Sequence, residues 1–243
     1  MNSLLRVIPR ILAMTTCVAH AGDAGLPASA DDVVRRLVEM DQARAHLLRS
    51  YVAERRYTAE NRRFSRRAEV VVREQFVPPD KKKLDITSET GSPLIQRRVI
   101  DKLIEAELDA ANSENRDQTH VTPENYTFRL TGKELVDGRS CFVLEVTPKV
   151  AKKYLMRGRI WVDASDFAIV RMDGSPAKNP SIWTRDVHFV RRYEKHGPLW
   201  LPAFLESESR IVIAGVSSLK IEYSNYQIEP ATEPESHPVS AGN

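Results

Sequence analysis

Alternating apolar and polar positions dominate the chain after about residue 120. The clearest example is residues 158–173, where two short apolar runs, 160–162 and 167–170, flank a four-residue turn. β-branched and aromatic residues on both sides of a turn predict a β-hairpin. Asp163 and Asp166 bound this turn, and we expect them to cap it by local hydrogen bonding rather than to act in acid–base chemistry.

The same alternation predicts about ten strands in meander order. Pro78-Pro79 ends one strand, and Asp137-Gly138 favours a tight hairpin. Pro202 predicts that the strand over residues 199–213 is bulged or lies at an edge. The other strands are predicted over residues 51–60, 67–76, 82–87, 126–130, 141–146, 183–193 and 219–225.

Two segments show the helical period instead. From Ser29 to about Leu48, apolar residues recur every three to four positions, which predicts an amphipathic helix packed on the sheet. Ser92-Pro93 opens a second helix with a wide apolar face, which ends before a polar loop over residues 110–119. The predicted fold is α+β, because a sheet of this length must curl and the central helix is expected to lie on its concave side.

The N-terminus has the features of a secretory signal peptide. Arg6 and Arg10 precede a short apolar stretch, and Ala19-His20-Ala21 fits a cleavage site. The expected organisation is a signal over residues 1–21, a single domain over 22–228 and a disordered tail over 229–243. Thr15 and Thr16 before Cys17 do not form a good lipidation motif. Cys141 would then be the remaining thiol, and it is expected to be a small buried residue of a strand.

The formal net charge of +3 would fall to +1 when Arg6 and Arg10 leave with the signal, so a general polyanion binder is not expected. Positive charge is nevertheless concentrated between residues 55 and 73. Nucleic-acid binding is not expected, because few aromatic side chains accompany these arginines. Two interpretations stay open, a solvated strand face and a contact with lipid headgroups or an anionic partner, and the second would use Arg62, Arg63, Arg66 and Arg67.

Motifs for enzymatic chemistry are absent from the sequence. It contains no HExxH, GxSxG, P-loop or GxGxxG motif, and its six histidines do not show metal-ligand spacing. Asp186 and His188 could form half of a catalytic dyad, but no nucleophile can be assigned to them. We therefore expect no enzyme activity, no metal and no cofactor.

Aromatic residues concentrate in the C-terminal strands. If they project inward they form either a filled core or the wall of a cavity, and a curved sheet of about ten strands is wide enough to hold an apolar ligand. The candidate wall residues are Trp161, Phe167, Ile169, Trp183, Phe189 and Phe204. Leu94, Val99 and Leu103 of the central helix would act as a removable plug, because an exchangeable ligand needs apolar surface that is not permanently filled.

The sequence resembles the LolA-like family of periplasmic lipoprotein carriers and the outer-membrane lipoprotein-sorting proteins related to it. The features that carry the resemblance are the signal peptide, the leading helix before Tyr51, the prolines and basic strand from Pro78 to Leu84, the central helix and the 158–171 hairpin. The resemblance covers about residues 31–228 and is most specific in the hairpin. It implies a half-open, incomplete β-barrel whose concave face is covered by helices and whose cavity holds acyl chains. It also implies an arginine that holds the covering helix closed, and no arginine can be matched to that role from the sequence.

The first functional hypothesis is therefore a non-enzymatic periplasmic binder or carrier of lipid or lipoprotein acyl chains, with transient membrane contact and a role in lipoprotein or lipid sorting. Inner- or outer-membrane proteins are possible partners. The alternative is a protein-interaction module that resembles the lipid-sensing domain of envelope-stress regulators and docks through its arginine-rich face. A third hypothesis is a hydrolase that uses Asp186 and His188.

Overall fold

The structure, a computed structural model, describes residues 29–111, 119–179, 184–212 and 214–231. The first helix, α1, spans Ala30–Ala45, and a second helical segment comprises α2 (Pro93–Ile95), a π-helical turn (Gln96–Ile100) and α3 (Asp101–Ala111). The ten strands among the described residues are β1 (Leu48–Asn61), β2 (Arg66–Val77), β3 (Lys81–Gly91), β4 (Tyr126–Val136), β5 (Arg139–Pro148), β6 (Met156–Asp163), β7 (Ile169–Pro176), β8 (Thr184–His196), β9 (Leu199–Ile211) and β10 (Gly215–Pro230).

All ten strands belong to one antiparallel sheet in the order β3-β2-β1-β10-β9-β8-β7-β6-β5-β4. Neighbours in this order are also neighbours in sequence, except that the last strand pairs with the first. Strands β3 and β4 lie at the two ends and do not pair with each other. The fold is the predicted one: an α+β protein in which a curved sheet forms an incomplete, half-open barrel, with helices covering its concave face.

Both helical segments pack on this concave face. The side chain of Ser29 caps α1 by accepting a hydrogen bond from the backbone N–H of Asp32 at 3.2 Å. Val33, Val34 and Leu37 of α1 then pack on residues of β4, β5 and β6. The second helical segment buries Ile95, Ile100 and Ile104 against β1, β2 and β10, so the two helical segments form two separate cores.

The second helical segment contains a π-helical turn that the sequence pattern did not predict. Ile95 and Ile100 are five residues apart, whereas Ile100 and Ile104 are four apart. A π turn bonds residues five apart, so it can bring Ile95 and Ile100 onto the same buried face. The irregularity therefore lets all three isoleucines reach one core.

Several boundaries differ from the predicted ones. Helix α1 ends at Ala45, because Leu48 already pairs with Pro230 in the sheet. Strand β10 continues to Pro230, and Glu229 pairs with Ser50, so the first two residues of the predicted tail belong to the sheet. The predicted signal peptide, Trp183 and the rest of the tail lie outside the described residues.

Candidate functional site

The concave face is covered unevenly. On β1, β2, β5 and β6, residues that point toward the helices are buried, as shown by Tyr57, Val70 and Ile160. On β7, β8, β9 and β10 several of the corresponding residues remain partly exposed, although Ile221 of β10 is buried in the core of the second helical segment. We call this surface the open strip, and it comprises Met172, Phe189, Arg191, Tyr193, Leu205, Leu219 and Tyr223.

Strand register places the open strip on one face of the sheet. Arg191 pairs with Met172 on one side and with Leu205 on the other, and paired residues share a face. Met172 packs on the α1 core, and Leu205 packs on the core of the second helical segment. The open strip therefore runs between the two helical segments.

A cavity of about 350 Å³ lies between α1 and the edge of the open strip. Tyr193 belongs to both, because its side chain lines the cavity and its hydroxyl group lies 3.7 Å from the sulfur of Met172. This volume is at the lower end of the range for ligand pockets, about 300–1,000 Å³. The lining residues are Leu37, Val38, Asp41, Gln42, Arg44, Ala45, His120, Val121, Thr122, Ala168, Ile169, Tyr193 and Trp200.

Arg55 of β1 connects the sheet to helix α3. Its side chain is 1% exposed, and it donates a hydrogen bond to Glu107 of α3 at 2.6 Å. It also donates to the hydroxyl of Tyr223 at 2.9 Å and lies 3.5 Å from a carboxylate oxygen of Glu74. The ion pair between β1 and α3 supplies an arginine contact to the covering helix that the sequence alone did not assign.

Glu74 is also buried, with 1% of its side chain exposed. Burial alone would raise the pKa of this carboxyl group, but the neighbouring Arg55 and Lys82 hold the pKa below its usual value. Tyr51 donates a hydrogen bond to one of its oxygens at 3.0 Å. Glu74 is therefore ionised at neutral pH and balances part of the positive charge beneath α3.

The C-terminal end of α3 is held at the opposite side of the open sheet. Asp109 forms an ion pair with Lys153 at 3.0 Å and accepts a hydrogen bond from the hydroxyl of Tyr154. These two residues lie between β5 and β6, next to Leu155 of the α1 core. The second helical segment thus reaches from β1 and β2 to the β5–β6 connection, and its far end is secured by exposed polar contacts.

Arg44 secures α1 to the hairpin of β6 and β7. Its guanidinium group donates to the backbone carbonyls of Asp166 and Phe167 at 2.8 and 3.0 Å. Arg44→Met should lower the free energy of unfolding by about 2 kcal/mol, because two charged hydrogen bonds to a partly buried turn are lost. Urea denaturation checks this result, and Arg35→Met on the exposed face of α1 should change stability by no more than about 0.5 kcal/mol.

Several of the predicted wall and plug residues lie on the concave side. Phe167 is buried in the α1 core and stacks on Phe142, with 6.1 Å between ring centroids. Ile169 lines the cavity, and Phe189 lies in the open strip. Val99 and Leu103 pack partly buried on the core of the second helical segment.

The structure does not bring the other predicted wall and plug residues together with these. Trp161 lies on the convex face with Cys141 and Val143, because its neighbours Ile160 and Val162 occupy the inward positions. Phe204 is also on the convex face, beside Arg192 at 5.1 Å. Leu94 is 47% exposed, and Trp183 lies outside the described residues.

The predicted basic contact residues lie around the β1–β2 turn, and all four are exposed. Two of them are paired with carboxylates: Arg62 lies 3.1 Å from Glu208, and Arg67 lies 3.5 Å from Glu60. Arg63 lies over the ring of Phe64, and Arg66 opens β2. The local positive charge is thus partly balanced by neighbouring acids.

The residues considered for catalysis have different partners in the structure. His188 pairs with Asp173 at 2.8 Å, whereas the exposed Asp186 lies 3.6 Å from Arg210. Burial raises the pKa of the Cys141 thiol to about 11, so this buried group stays protonated at neutral pH. The described part of the chain holds no group of three or more His, Cys, Asp or Glu side chains that could bind a metal ion.

Several solved structures are similar to this chain, including the following three. A DUF1329 family protein from Desulfovibrio piger is 16% identical, with a TM-score of 0.42 and coverage of 82% of this chain and 92% of that protein. A putative outer membrane lipoprotein-sorting protein domain from Vibrio parahaemolyticus is 14% identical, with a TM-score of 0.44 and coverage of 84% and 94%. A LolA superfamily protein from Nitrosomonas europaea is 13% identical, with a TM-score of 0.38 and coverage of 86% and 96%.

The protein classes named by the sequence resemblance, LolA-like and outer-membrane lipoprotein-sorting proteins, are thus among the structures similar to this chain. No protein-family model and no curated protein matches it. Within the described residues, none of the helices has the length and apolar character needed to cross a membrane.

Proposed function

We propose that this protein is a non-enzymatic periplasmic binder or carrier of a lipid or lipoprotein acyl chain. The observation that carries the proposal is the cavity between α1 and the open strip, together with the partly exposed apolar side chains of that strip. Phe189, Leu205 and Leu219 offer surface that an acyl chain can cover and leave again, whereas the two cores beside them are closed. A volume of about 350 Å³ favours one acyl chain over several.

The energetics are suited to reversible binding. Each methylene group removed from water contributes about 0.8 kcal/mol, so a chain that is only partly enclosed gains a moderate free energy. The second helical segment can give way because exposed contacts of Asp109 secure its far end, and exposed ion pairs contribute only about 0–1 kcal/mol. Arg55 and Glu107 would hold the covering helix closed when no ligand is present.

The proposed setting follows from the sequence. An N-terminal signal would deliver the chain to the periplasm, where a carrier shields an acyl chain from water during sorting of lipoproteins or lipids. Its partners would be the acylated cargo and, transiently, a membrane or a membrane protein. Neither a cofactor nor a catalytic group is needed for this role.

Filling the cavity tests the proposal. Val38 of α1 lines the cavity and is partly exposed, so Val38→Trp should occupy it at little cost to folding. Binding of a fluorescent fatty acid should weaken at least about tenfold, since the chain loses its enclosed surface. Met40→Trp is the matched control, because Met40 lies on the same helix, is 41% exposed and does not line the cavity.

Native mass spectrometry of protein purified gently from the periplasm extends this test to the natural ligand, which it would detect as a co-purifying mass. Co-purifying lipid or acylated protein that is lost in Val38→Trp but kept in Met40→Trp supports the carrier. No lipid in the wild-type protein and no uptake of the fatty acid would contradict it. Salt-sensitive capture of a protein partner through Arg62 and Arg63, without lipid, would instead support the interaction module.

A further inference from the structure

Arg191 is a partly exposed cation whose charge is not balanced by an ion pair among the described residues. It lies in the middle of the open strip between Phe189 and Tyr193 of β8. Its Nε atom is buried and has no hydrogen-bond partner among the described residues, and no described carboxylate lies within ion-pair distance of its guanidinium group. A buried donor without an acceptor is costly, so the unpartnered Nε–H marks a guanidinium group that lacks acceptors.

The groups around Arg191 are neutral or already engaged. One of its terminal nitrogens lies 3.5 Å from the hydroxyl of Tyr223, and that hydroxyl also accepts a hydrogen bond from Arg55 at 2.9 Å. Glu107 is bound by Arg55 at 2.6 Å. Two guanidinium groups therefore share one phenol oxygen, and the site lacks hydrogen-bond acceptors rather than donors.

Apolar surface begins directly beside this cation. Phe189 and Leu205 flank Arg191 on the open strip. Tyr193 lies on its other side, with 5.9 Å between its ring centroid and the guanidinium carbon, and its side chain also lines the cavity under α1. A ligand with a charged end at Arg191 could thus place an apolar chain on the strip or in the cavity.

We propose that Arg191 binds the anionic head group of an acyl amphiphile, a carboxylate or a phosphate. This inference rests on the proposed function and narrows its ligand from any acyl chain to an anionic one. The head group would pair with the guanidinium group of Arg191 and supply the acceptor that the site lacks. The attached chain would lie against Phe189 and Leu205 or enter the cavity.

Calorimetric titration of the unmodified protein with matched probes tests this proposal without any substitution. Decanoate and decyl phosphate should bind at least about tenfold more tightly than neutral decanol or decyltrimethylammonium, since only the anions provide a charged acceptor for the guanidinium group. Acetate and inorganic phosphate provide the same head groups without a chain. They should bind far more weakly than the amphiphiles, because they bury no apolar surface.

Substitutions then assign the preference to one residue. Arg191→Gln should weaken decanoate binding by about ten- to a hundredfold and leave decanol binding unchanged. Arg192→Gln is the matched control, because Arg192 follows Arg191 on the same strand but lies on the convex face over Phe204. Arg191→Lys retains the charge and should keep part of the preference, and thermal melting shows whether each variant is folded.

Each outcome separates this inference from the proposed function. Equal binding of decanoate and decanol would overturn the anion site while leaving the acyl-chain binder intact. If acetate or inorganic phosphate binds as tightly as decanoate, the site binds small anions, and the proposal that its ligand is an amphiphile is overturned. If a folded Arg191→Gln variant still prefers the anionic amphiphiles, another residue provides that preference and Arg191 is not the binding residue. Failure of every amphiphile to bind would overturn both proposals.

Discussion

Replacing Arg55 with methionine should lower the free energy of unfolding by about 3–5 kcal/mol, because it leaves one partner of a buried ion pair without its charge. Arg55 and Glu74 are each 1% exposed, so water cannot take the place of the lost guanidinium group. Among the described residues, Glu74 would then keep Lys82 as its one ion-pair partner, at 3.0 Å. Arg55→Met would also remove the hydrogen bond to Glu107 that joins β1 to α3. Urea denaturation measures the loss.

A double-mutant cycle shows whether the loss comes from the stranded carboxylate. Arg55→Met combined with Glu74→Gln should recover part of the stability, because no buried charge then lacks its partner. Arg56→Met is the control, since its ion pair with Glu69 is exposed and should contribute about 0–1 kcal/mol. A loss in Arg55→Met no larger than the control would show that the pair is solvated and does not secure α3.

The periodic pattern was sufficient to predict most of the fold. Alternation along β1 placed Ala53 and Tyr57 on one face, and the structure buries both. The 158–173 hairpin forms as β6 and β7, and Ser92-Pro93 opens the second helical segment. These features are local, because a residue's position in a period of two or of 3.6 determines which face it occupies.

The site could not be predicted in the same way. Arg55 looked like one member of a solvated arginine face, yet its partner Glu107 lies 52 residues away on another element. Trp161 was expected to point inward, but the strand places Ile160 and Val162 there instead. Aromatic content alone does not reveal which of the two alternating faces of a strand is concave. The choice of aromatic side chains as wall residues therefore selected the wrong face of β6.

The open strip depends on where the helices lie, which no local pattern encodes. Phe189 and Tyr57 both point toward the concave face, yet only Tyr57 is fully covered. The difference arises because α1 covers β4, β5 and β6 and the second helical segment covers β1, β2 and part of β10, which leaves the open strip between them. Only the register across β7, β8 and β9 reveals that Arg191 shares this surface with apolar residues.

Replacing Asp163 with alanine should lower the free energy of unfolding by about 3 kcal/mol, because two charged hydrogen bonds from the partly buried backbone of the turn to a buried carboxylate are lost. Asp163 is 2% exposed, and one of its oxygens accepts from the backbone N–H groups of Ser165 and Asp166 at 2.9 and 2.7 Å. This confirms that it caps the turn of the hairpin. The ion pair with Arg139 contributes less, since Arg139 is 37% exposed and water screens its charge.

Asp163→Asn separates the cap from the charge, because an amide oxygen can still accept from both N–H groups. Although burial would raise the pKa of Asp163, hydrogen bonds from Arg139 and the turn hold it below its usual value. Its stabilising contribution is therefore complete above the unfolded pKa of about 3.9 and is lost as the pH falls through the lower folded value. At neutral pH, Asp163→Asn should retain most of the stability that Asp163→Ala loses. Between about pH 5 and 2, the unfolding free energy of Asp163→Asn should depend less on pH than that of the wild type. Equal losses in both variants, measured by urea denaturation across this pH range, would show that charge rather than capping stabilises the hairpin.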